Sequence, residues 1–184
     1  RDILTILDEL DIPKVTLLGH SMGVNLALET FRLAPERVSG LILANGTARG
    51  PLGNIFGSNV LQILFPGLFY FYEKFPHLAP LFLTSMWNAP GSNSVVRSLV
   101  SRLGFNQNLA NSKDISLFVQ QLSDLKIKVL LHLLKDYEKF DATRWLHQIN
   151  VPTLIIAGEK DLIIPRAEQE LLHQMIRNSE FTII

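Results

Sequence analysis

A serine lies between two glycines in the run Gly19-His20-Ser21-Met22-Gly23, which has the pattern G-x-S-x-G. The residues before it, Lys14 to Gly19 (KVTLLG), are few, apolar and rich in β-branched side chains, as in a buried strand. The residues after it, Met22 to Leu33, carry apolar positions at helical spacing. A serine on a tight turn from strand to helix projects its hydroxyl above the sheet, so Ser21 is a candidate nucleophile.

The neighbours of Ser21 predict how such a turn works. Side chains at positions 19 and 23 are expected to collide with nearby backbone, which favours Gly19 and Gly23. The following helix points its N-terminus at a developing oxyanion, and the Met22 amide is the predicted donor. His20 is expected to line a pocket or to pack, because adjacent residues on the turn diverge and a base must reach the serine hydroxyl. In the alternative interpretation, Ser21 merely caps the helix.

Strands and helices alternate at both ends of the chain. Further strands are predicted at Val38–Ala44, Pro152–Ala157 and Glu180–Ile184, and helices over 1–10 and 166–177. This order predicts an α/β fold with a mainly parallel sheet and helices on both faces. The predicted inward side of the helix at 22–33 consists of Leu26, Ala27, Thr30 and Phe31, and the predicted outward side of Asn25, Glu29 and Arg32.

The middle of the chain, roughly 50–143, lacks this alternation. Its apolar helical stretches are broken by Pro66, Pro76, Pro80 and Pro90, and Lys113–Tyr137 predicts one or two amphipathic helices. The predicted organisation is a first core part over 1–49, a helical cap over 50–143 and a second core part over 144–184. The cap is interpreted as a structural lid or as a lid that binds an acyl group and touches lipid. Its polar residues and glycines argue against a third interpretation, a membrane span.

The amino-acid composition excludes some classes of binding partner and of functional site. Of 184 residues, 47% are hydrophobic and 18% charged, and 17 basic residues balance 17 acidic ones. Such neutrality predicts no nucleic-acid partner. The absence of cysteine excludes disulfides, thiolate metal sites and cysteine nucleophiles. The first ten residues show a helical pattern and not a targeting segment, so the compartment stays open, with the cytoplasm weakly favoured.

With the G-H-S-M-G turn placed between strand and helix, residues 1–47 and 146–184 resemble serine hydrolases of the α/β-hydrolase superfamily, particularly esterases and lipases. The resemblance implies the C-terminal half of such a sheet, with a helical cap inserted between two strands. It also implies that Asp161, which follows a strand and Gly158, is the acid of a catalytic triad. An ordinary turn aspartate is the alternative. Some relatives carry the acid after the preceding strand, but this sequence has Asn45-Gly46 there.

The resemblance implies a catalytic histidine in a loop after the last strand, which here lies beyond Ile184. His77, His132, His147 and His173 do not occupy that loop and are expected to pack or to lie on the surface. The second oxyanion donor is expected upstream of Arg1. The chain is therefore interpreted as truncated at both ends and is expected to be inactive alone.

The expected activity is hydrolysis of a carboxylic ester with an apolar acyl or alcohol part through an acyl-enzyme. Thioesterase, amidase, acyltransferase and carbon–carbon hydrolase chemistry remain open, as does a non-catalytic interaction protein with this fold. The expected partner is a small apolar ester, with membrane-surface contact through the cap as a further option. No metal and no organic cofactor is implied.

Overall fold

The computed structural model describes both ends of the chain and parts of its middle. The described residues are 1–50, 60–75, 77–79, 81, 85, 111, 113, 117, 127–161 and 163–184. The chain divides into two compact units, which we call the core unit (Arg1–Pro51 and Tyr137–Ile184) and the insert unit (Leu52–Asp136). The function of the insert unit as a cap stays a prediction.

Helices and strands alternate in the core unit, as the sequence predicts. In chain order the elements of the described residues are α1 (Asp2–Glu9), β1 (Val15–His20), α2 (Met22–Leu33), a 3-10 turn (Pro35–Arg37), β2 (Val38–Ala44), α3 (Val60–Lys74), α4 (Ile127–Glu138), a 3-10 turn (Leu146–Gln148), β3 (Thr153–Ala157), α5 (Arg166–Met175) and β4 (Ser179–Ile183).

The four strands form one parallel sheet in the order β1-β2-β3-β4. Its register pairs His20 with Ala44 and Ala44 with Ile156, so β1, β2 and β3 end side by side. Because parallel strands all run the same way, the loops that follow them meet at one edge, which we call the carboxyl edge. The predicted α/β class with a parallel sheet is confirmed.

Apolar side chains of the sheet and of the helices α2 and α5 form the core. The two central strands β2 and β3 are the more buried ones, and α2 packs against β1 and β2. Burying such side chains stabilises the fold by about 1.5–3 kcal/mol each. The largest fully buried side chains of this cluster are Leu28, Leu41, Leu43, Leu146, Ile155, Leu172 and Ile176.

Two details of burial differ from the sequence prediction. β1 was expected to be buried, but its residues alternate and Leu18 is 69% exposed. The reason is that β1 lies at an edge of the sheet formed by the described strands. In α2, Leu26 is exposed and Asn25 is buried, the reverse of the prediction. Asn25 tolerates burial because its amide nitrogen donates a hydrogen bond to the Thr47 carbonyl oxygen at 3.1 Å.

The insert unit has its own small aromatic cluster. Phe69 and Tyr72 of α3 are buried, and the His132 ring of α4 meets both edge-on. The Lys135 ammonium lies 3.9 Å from the Phe69 ring centre and bonds the Glu73 carboxylate at 2.8 Å. The cluster therefore ties α4 to α3 within this unit.

The predicted break at Pro66 is wrong, because α3 continues through that residue. A proline inside a helix removes one amide donor and crowds the carbonyl group four residues earlier, which kinks or breaks a helix, but α3 extends on both sides of Pro66. The other predicted helix breaks lie outside the described residues, as do most of the helices predicted over 113–137. These breaks are at Pro76, Pro80 and Pro90. Of that second range the structure describes α4 from Ile127 onward. Among the described residues, no helix has the length and hydrophobicity that crossing a bilayer requires.

Candidate active site

Ser21 occupies a sharp turn between β1 and α2. Its backbone has φ = 54° and ψ = −122°, a conformation that costs a non-glycine residue about 1–3 kcal/mol. The turn is held because the Ser21 amide donates to the Ala44 carbonyl oxygen at 3.0 Å. Such strain persists only where the surrounding structure enforces it, and it is concentrated at functional sites.

The Ser21 side chain makes no capping hydrogen bond to α2, although Ser21 stands at the N-cap position. A capping serine uses its hydroxyl to accept a hydrogen bond from an amide two or three residues later. The alternative interpretation of Ser21 as a helix cap is therefore wrong. Its half-buried hydroxyl remains available for other chemistry.

The two glycines of the motif are not equivalent. A Cβ added to Gly19 would overlap the carbonyl group of Gly23 and lie 2.7 Å from the Val24 nitrogen. A Cβ added to Gly23 would meet no described atom within 4 Å outside its own helix. The predicted collision is therefore present at Gly19, and the prediction is wrong for Gly23. The difference arises because the turn folds the start of α2 back over Gly19.

The first turn of α2 begins directly after Ser21. The Val24 amide donates to the Ser21 carbonyl oxygen at 3.0 Å. Met22 is the first residue of α2, where an amide has no acceptor within its own helix. The Met22 amide thus has the position and the dipole direction that suit an oxyanion donor. His20, at the end of β1, is exposed.

Asp161 lies in the loop after β3. The turn is closed by the Asp161 amide, which donates to the Gly158 carbonyl oxygen at 3.3 Å. One carboxylate oxygen, Oδ1, accepts hydrogen bonds from the amides of Ile163 at 2.8 Å and Ile164 at 2.9 Å. No described residue donates to the other oxygen, Oδ2. The loop thus fixes the carboxylate by one oxygen and leaves the other for a further donor.

Ser21 and Asp161 belong to the same edge of the sheet. Ser21 directly follows β1, and Asp161 comes four residues after the end of β3, with β2 between the two strands. Two strand spacings amount to about 10 Å. A single imidazole with a hydrogen bond of about 2.8 Å on each side can bridge side chains that lean towards each other over such a gap.

The histidines of the chain do not complete such a pair. Within the part of the chain that the structure describes, no histidine donates to or accepts from the side chain of Ser21 or Asp161. The His173 Nδ1 instead lies 2.8 Å from the Ser179 Oγ, and its ring stacks on Phe181. The described histidines are His20, His77, His132, His147 and His173, and all are exposed.

A buried polar network near the carboxyl edge is invisible in the sequence. The Glu168 carboxylate of α5 is almost fully buried and accepts hydrogen bonds from the Thr47 hydroxyl and the Arg49 guanidinium, both at 3.1 Å. Thr47 also accepts from the Arg49 amide at 3.0 Å. Glu168 is 119 or more residues away from these partners, so no local pattern could have found the network. It fixes the segment that follows β2.

Tyr137 lies close to this network. Burial, followed by the nearby carboxylates of Glu138 and Glu168, raises the pKa of the Tyr137 phenol, which keeps the hydroxyl protonated. Among the described residues, no group of three or more histidine, cysteine, aspartate or glutamate side chains could hold a metal ion.

Comparison with known proteins agrees with this architecture. The family described as alpha/beta hydrolase fold matches residues 1–184. A protein of Azorhizobium caulinodans named "Putative carbamate hydrolase RutD" is 27% identical over 180 residues, which are 96% of this chain and 59% of that protein. The hydrolase YugF of Bacillus subtilis is 24% identical over 181 residues, again 96% of this chain and 59% of that protein.

Solved structures share the fold. An esterase from Exiguobacterium antarcticum superposes with a TM-score of 0.72 and 21% identity, over 99% of this chain and 62% of its own. A hydrolase from Pseudomonas aeruginosa gives a TM-score of 0.72 and 20% identity, over 100% of this chain and 61% of its own. The chain thus spans about 60% of the length of these proteins. It belongs to the α/β-hydrolase fold family.

Proposed function

We propose that this chain carries the nucleophile and the acid of a serine hydrolase that cleaves carboxylic esters. The observation that carries the proposal is the strained Ser21 turn, whose hydroxyl does not cap α2 and which shares an edge of the sheet with Asp161. A strained serine without a structural hydrogen bond is typical of a nucleophile.

In the proposed reaction the Ser21 Oγ attacks the ester carbonyl carbon while a histidine, expected beyond Ile184, accepts the hydroxyl proton. The Met22 amide stabilises the oxyanion of the tetrahedral intermediate, together with a second donor expected upstream of Arg1. Collapse of the intermediate breaks the bond to the alcohol oxygen, which takes the proton from the histidine. Water then attacks the acyl-enzyme by the same steps and releases the acid and free Ser21.

Asp161 would orient the histidine and stabilise the imidazolium that forms during attack. The hydrogen bonds from Ile163 and Ile164 to Oδ1 support this role, because they fix the carboxylate and leave Oδ2 to accept from the imidazole. Neither step requires a metal or an organic cofactor.

The insert unit supports an apolar substrate. Several of its described apolar side chains are exposed. Exposed apolar side chains of this number are suited to contact with an acyl chain or with lipid. They include Ile63, Leu64, Leu68, Tyr70, Leu78 and Leu81.

Carbamate hydrolysis is a second candidate, favoured by the name of the relative from Azorhizobium caulinodans. The same serine chemistry cleaves a carbamate ester at the bond to its alcohol oxygen, which receives the proton, and the carbamoyl-enzyme that remains is hydrolysed by water. Turnover of matched aryl esters and aryl carbamates by the same preparation separates the two candidates.

The test is labelling by a fluorophosphonate, which reacts covalently with an activated serine, in the protein at its full natural length. Ser21→Ala should abolish labelling. Ser39→Ala, a change at an exposed serine of β2, should leave the labelling rate unchanged and serves as the matched control. Labelling that persists in Ser21→Ala would place the nucleophile elsewhere.

A further inference from the structure

Asn45 has a positive φ at the end of a strand. It follows β2 directly and has φ = 46°, in the left-handed region that asparagine enters more readily than most residues. Among the described non-glycine residues only Asp11, Ser21 and Asn45 have positive φ. Ser21 and Asn45 thus both have positive φ and directly follow neighbouring strands.

Asparagine at such positions usually forms a hydrogen bond with the backbone of its own turn. The Asn45 side chain does not. Its Oδ1 instead accepts a hydrogen bond from the amide of Gly158 at 2.8 Å, a partner 113 residues away. Gly158 opens the loop of the predicted acid, since the Asp161 amide donates to the Gly158 carbonyl oxygen. The Asn45 side chain therefore holds the first residue of that loop.

The three residues are in close proximity. A Cβ built on Gly158 would lie 3.3 Å from the Asn45 Nδ2 and 3.4 Å from the Asp161 Cβ. The side-chain amide of Asn45 and the first carbon of the Asp161 side chain therefore flank the same point of the Gly158 backbone. A shift of the Asn45 side chain therefore moves Gly158, and Gly158 is the residue at which the turn of Asp161 begins.

Asn45 is also continuous with the Ser21 turn. The Ala44 carbonyl oxygen accepts from the Ser21 amide at 3.0 Å, and the Asn45 amide donates to the Ile156 carbonyl oxygen at 2.9 Å. Three adjacent hydrogen bonds thus run from Ser21 through residues 44 and 45 to Ile156 and Gly158. They fix the nucleophile turn and the acid loop relative to each other.

We propose that Asn45 is a positioning residue that sets the distance between Ser21 and Asp161 by holding Gly158 through its Oδ1. This inference rests on the proposed function, because it requires Asp161 to act in catalysis. A carboxylate displaced by even 1 Å orients its histidine poorly, and displacements of that size cost rates of up to about a hundredfold.

Three variants separate the side-chain bond from the backbone conformation. Asn45→Gly keeps the left-handed backbone and removes the acceptor. Asn45→Asp keeps an acceptor oxygen in nearly the same place. Asp11→Gly puts glycine at another positive-φ residue, the exposed Asp11 after α1, and is the matched control. We measure the rate of fluorophosphonate labelling, and kcat and KM on an aryl ester, in the protein at full natural length.

We expect Asn45→Gly to lower kcat and the labelling rate about 10- to 100-fold with KM changed less than about threefold. Asn45→Asp should recover at least half of the lost factor above neutral pH, and Asp11→Gly should match the wild type. The decisive measurement is a double-mutant cycle with Asp161→Asn. In that background Asn45→Gly should cost less than about twofold more, because both changes act through one carboxylate.

The possible results distinguish failure of the positioning role from failure of the proposed function. Full activity of Asn45→Gly, or losses that multiply in the double variant, would overturn the positioning role while Ser21 and Asp161 keep theirs. Labelling that survives Ser21→Ala, or an Asp161→Asn variant with wild-type kcat, would overturn the proposed function and the inference with it.

Discussion

The carbonyl group of Gly23 occupies the space that a Cβ on residue 19 would need. Alanine at position 19 therefore forces the strand away from the start of α2 and opens the Ser21 turn. We expect Gly19→Ala to destabilise the fold by at least about 2 kcal/mol, in the range of an overpacked core site. Thermal unfolding and fluorophosphonate labelling of the soluble fraction measure the two effects.

Gly23→Ala is the natural control, because it lies in the same motif and makes the same chemical change. Its Cβ meets no described atom outside α2, so the gain in helix propensity should dominate and stabilise the fold by about 0.5–1 kcal/mol. Equal destabilisation by both alanines would contradict the geometry of the turn.

Ser21 stores backbone strain, so glycine at this position should stabilise the fold. We expect Ser21→Gly to have a free energy of unfolding about 1 kcal/mol higher than Ser21→Ala, since only glycine adopts φ = 54° without cost. Neither variant should react with the fluorophosphonate. Denaturant titrations of both variants give the difference.

The matched pair is Ser39→Gly and Ser39→Ala, within β2. In an ordinary strand glycine should be the less stable of the two, by about 0.5–1 kcal/mol. If glycine is also the less stable at position 21, the Ser21 backbone is unstrained in solution.

Asp161→Asn should separate catalysis from stability. Its amide oxygen can still accept from Ile163 and Ile164, so unfolding should change by less than about 1 kcal/mol. Loss of the charge that supports the imidazolium should lower kcat by about 10³–10⁴-fold. Steady-state hydrolysis of an aryl ester, together with thermal melting, tests both statements. A variant that keeps a tenth of the activity would remove Asp161 from the triad.

Thr47→Val tests the buried network around Glu168. The change keeps the shape of the side chain but removes the hydroxyl, which shares its proton between the Arg49 carbonyl oxygen at 2.8 Å and Glu168 at 3.1 Å and accepts from the Arg49 amide. Unsatisfied buried groups cost about 1–3 kcal/mol, so the variant should lose that much stability. Thr16→Val, at an exposed hydroxyl that bonds the Ser39 hydroxyl, should lose less than about 0.5 kcal/mol. Similar losses in chemical denaturation would show that burial does not matter here.

Acid should weaken the contribution of Asp141. Hydrogen bonds from the Thr143 hydroxyl and then the Thr143 amide hold the pKa of the Asp141 carboxyl below its usual range. A depressed folded-state pKa adds stability that is fully present above the unfolded pKa and is lost as the pH falls through the folded pKa. Asp141→Asn should therefore melt lower than the wild type at about pH 7, and the gap should shrink as the pH falls towards about 2. A gap that is independent of pH would contradict this.

The sequence predicts those parts of the structure that depend on local patterns. Helical spacing and an apolar run predict α2 and β2 with the observed bounds. The glycine before Ser21 predicts the tight turn. Which residues of a helix are buried depends less on the local sequence, because it is set by the elements that pack against the helix. Asn25 of α2 is buried next to the loop after β2, where the Thr47 carbonyl oxygen accepts from its side-chain amide, while its neighbour Leu26 is exposed. Likewise, the Asn45–Gly158 bond joins residues that only the sheet brings together.

One feature of the core unit bears on how the intervening segment can vary. The Ala142 amide donates to the Ala48 carbonyl oxygen at 2.8 Å, and Arg49 forms an antiparallel bridge with Asp141. The two ends of the segment between these residues are thus pinned side by side, whatever its length. Since closing a loop costs only about 0.6 kcal/mol more for each doubling of its length, insertions and deletions there leave the core almost as stable as before. The same scaffold can therefore accept segments of different size and composition without rebuilding the Ser21 turn.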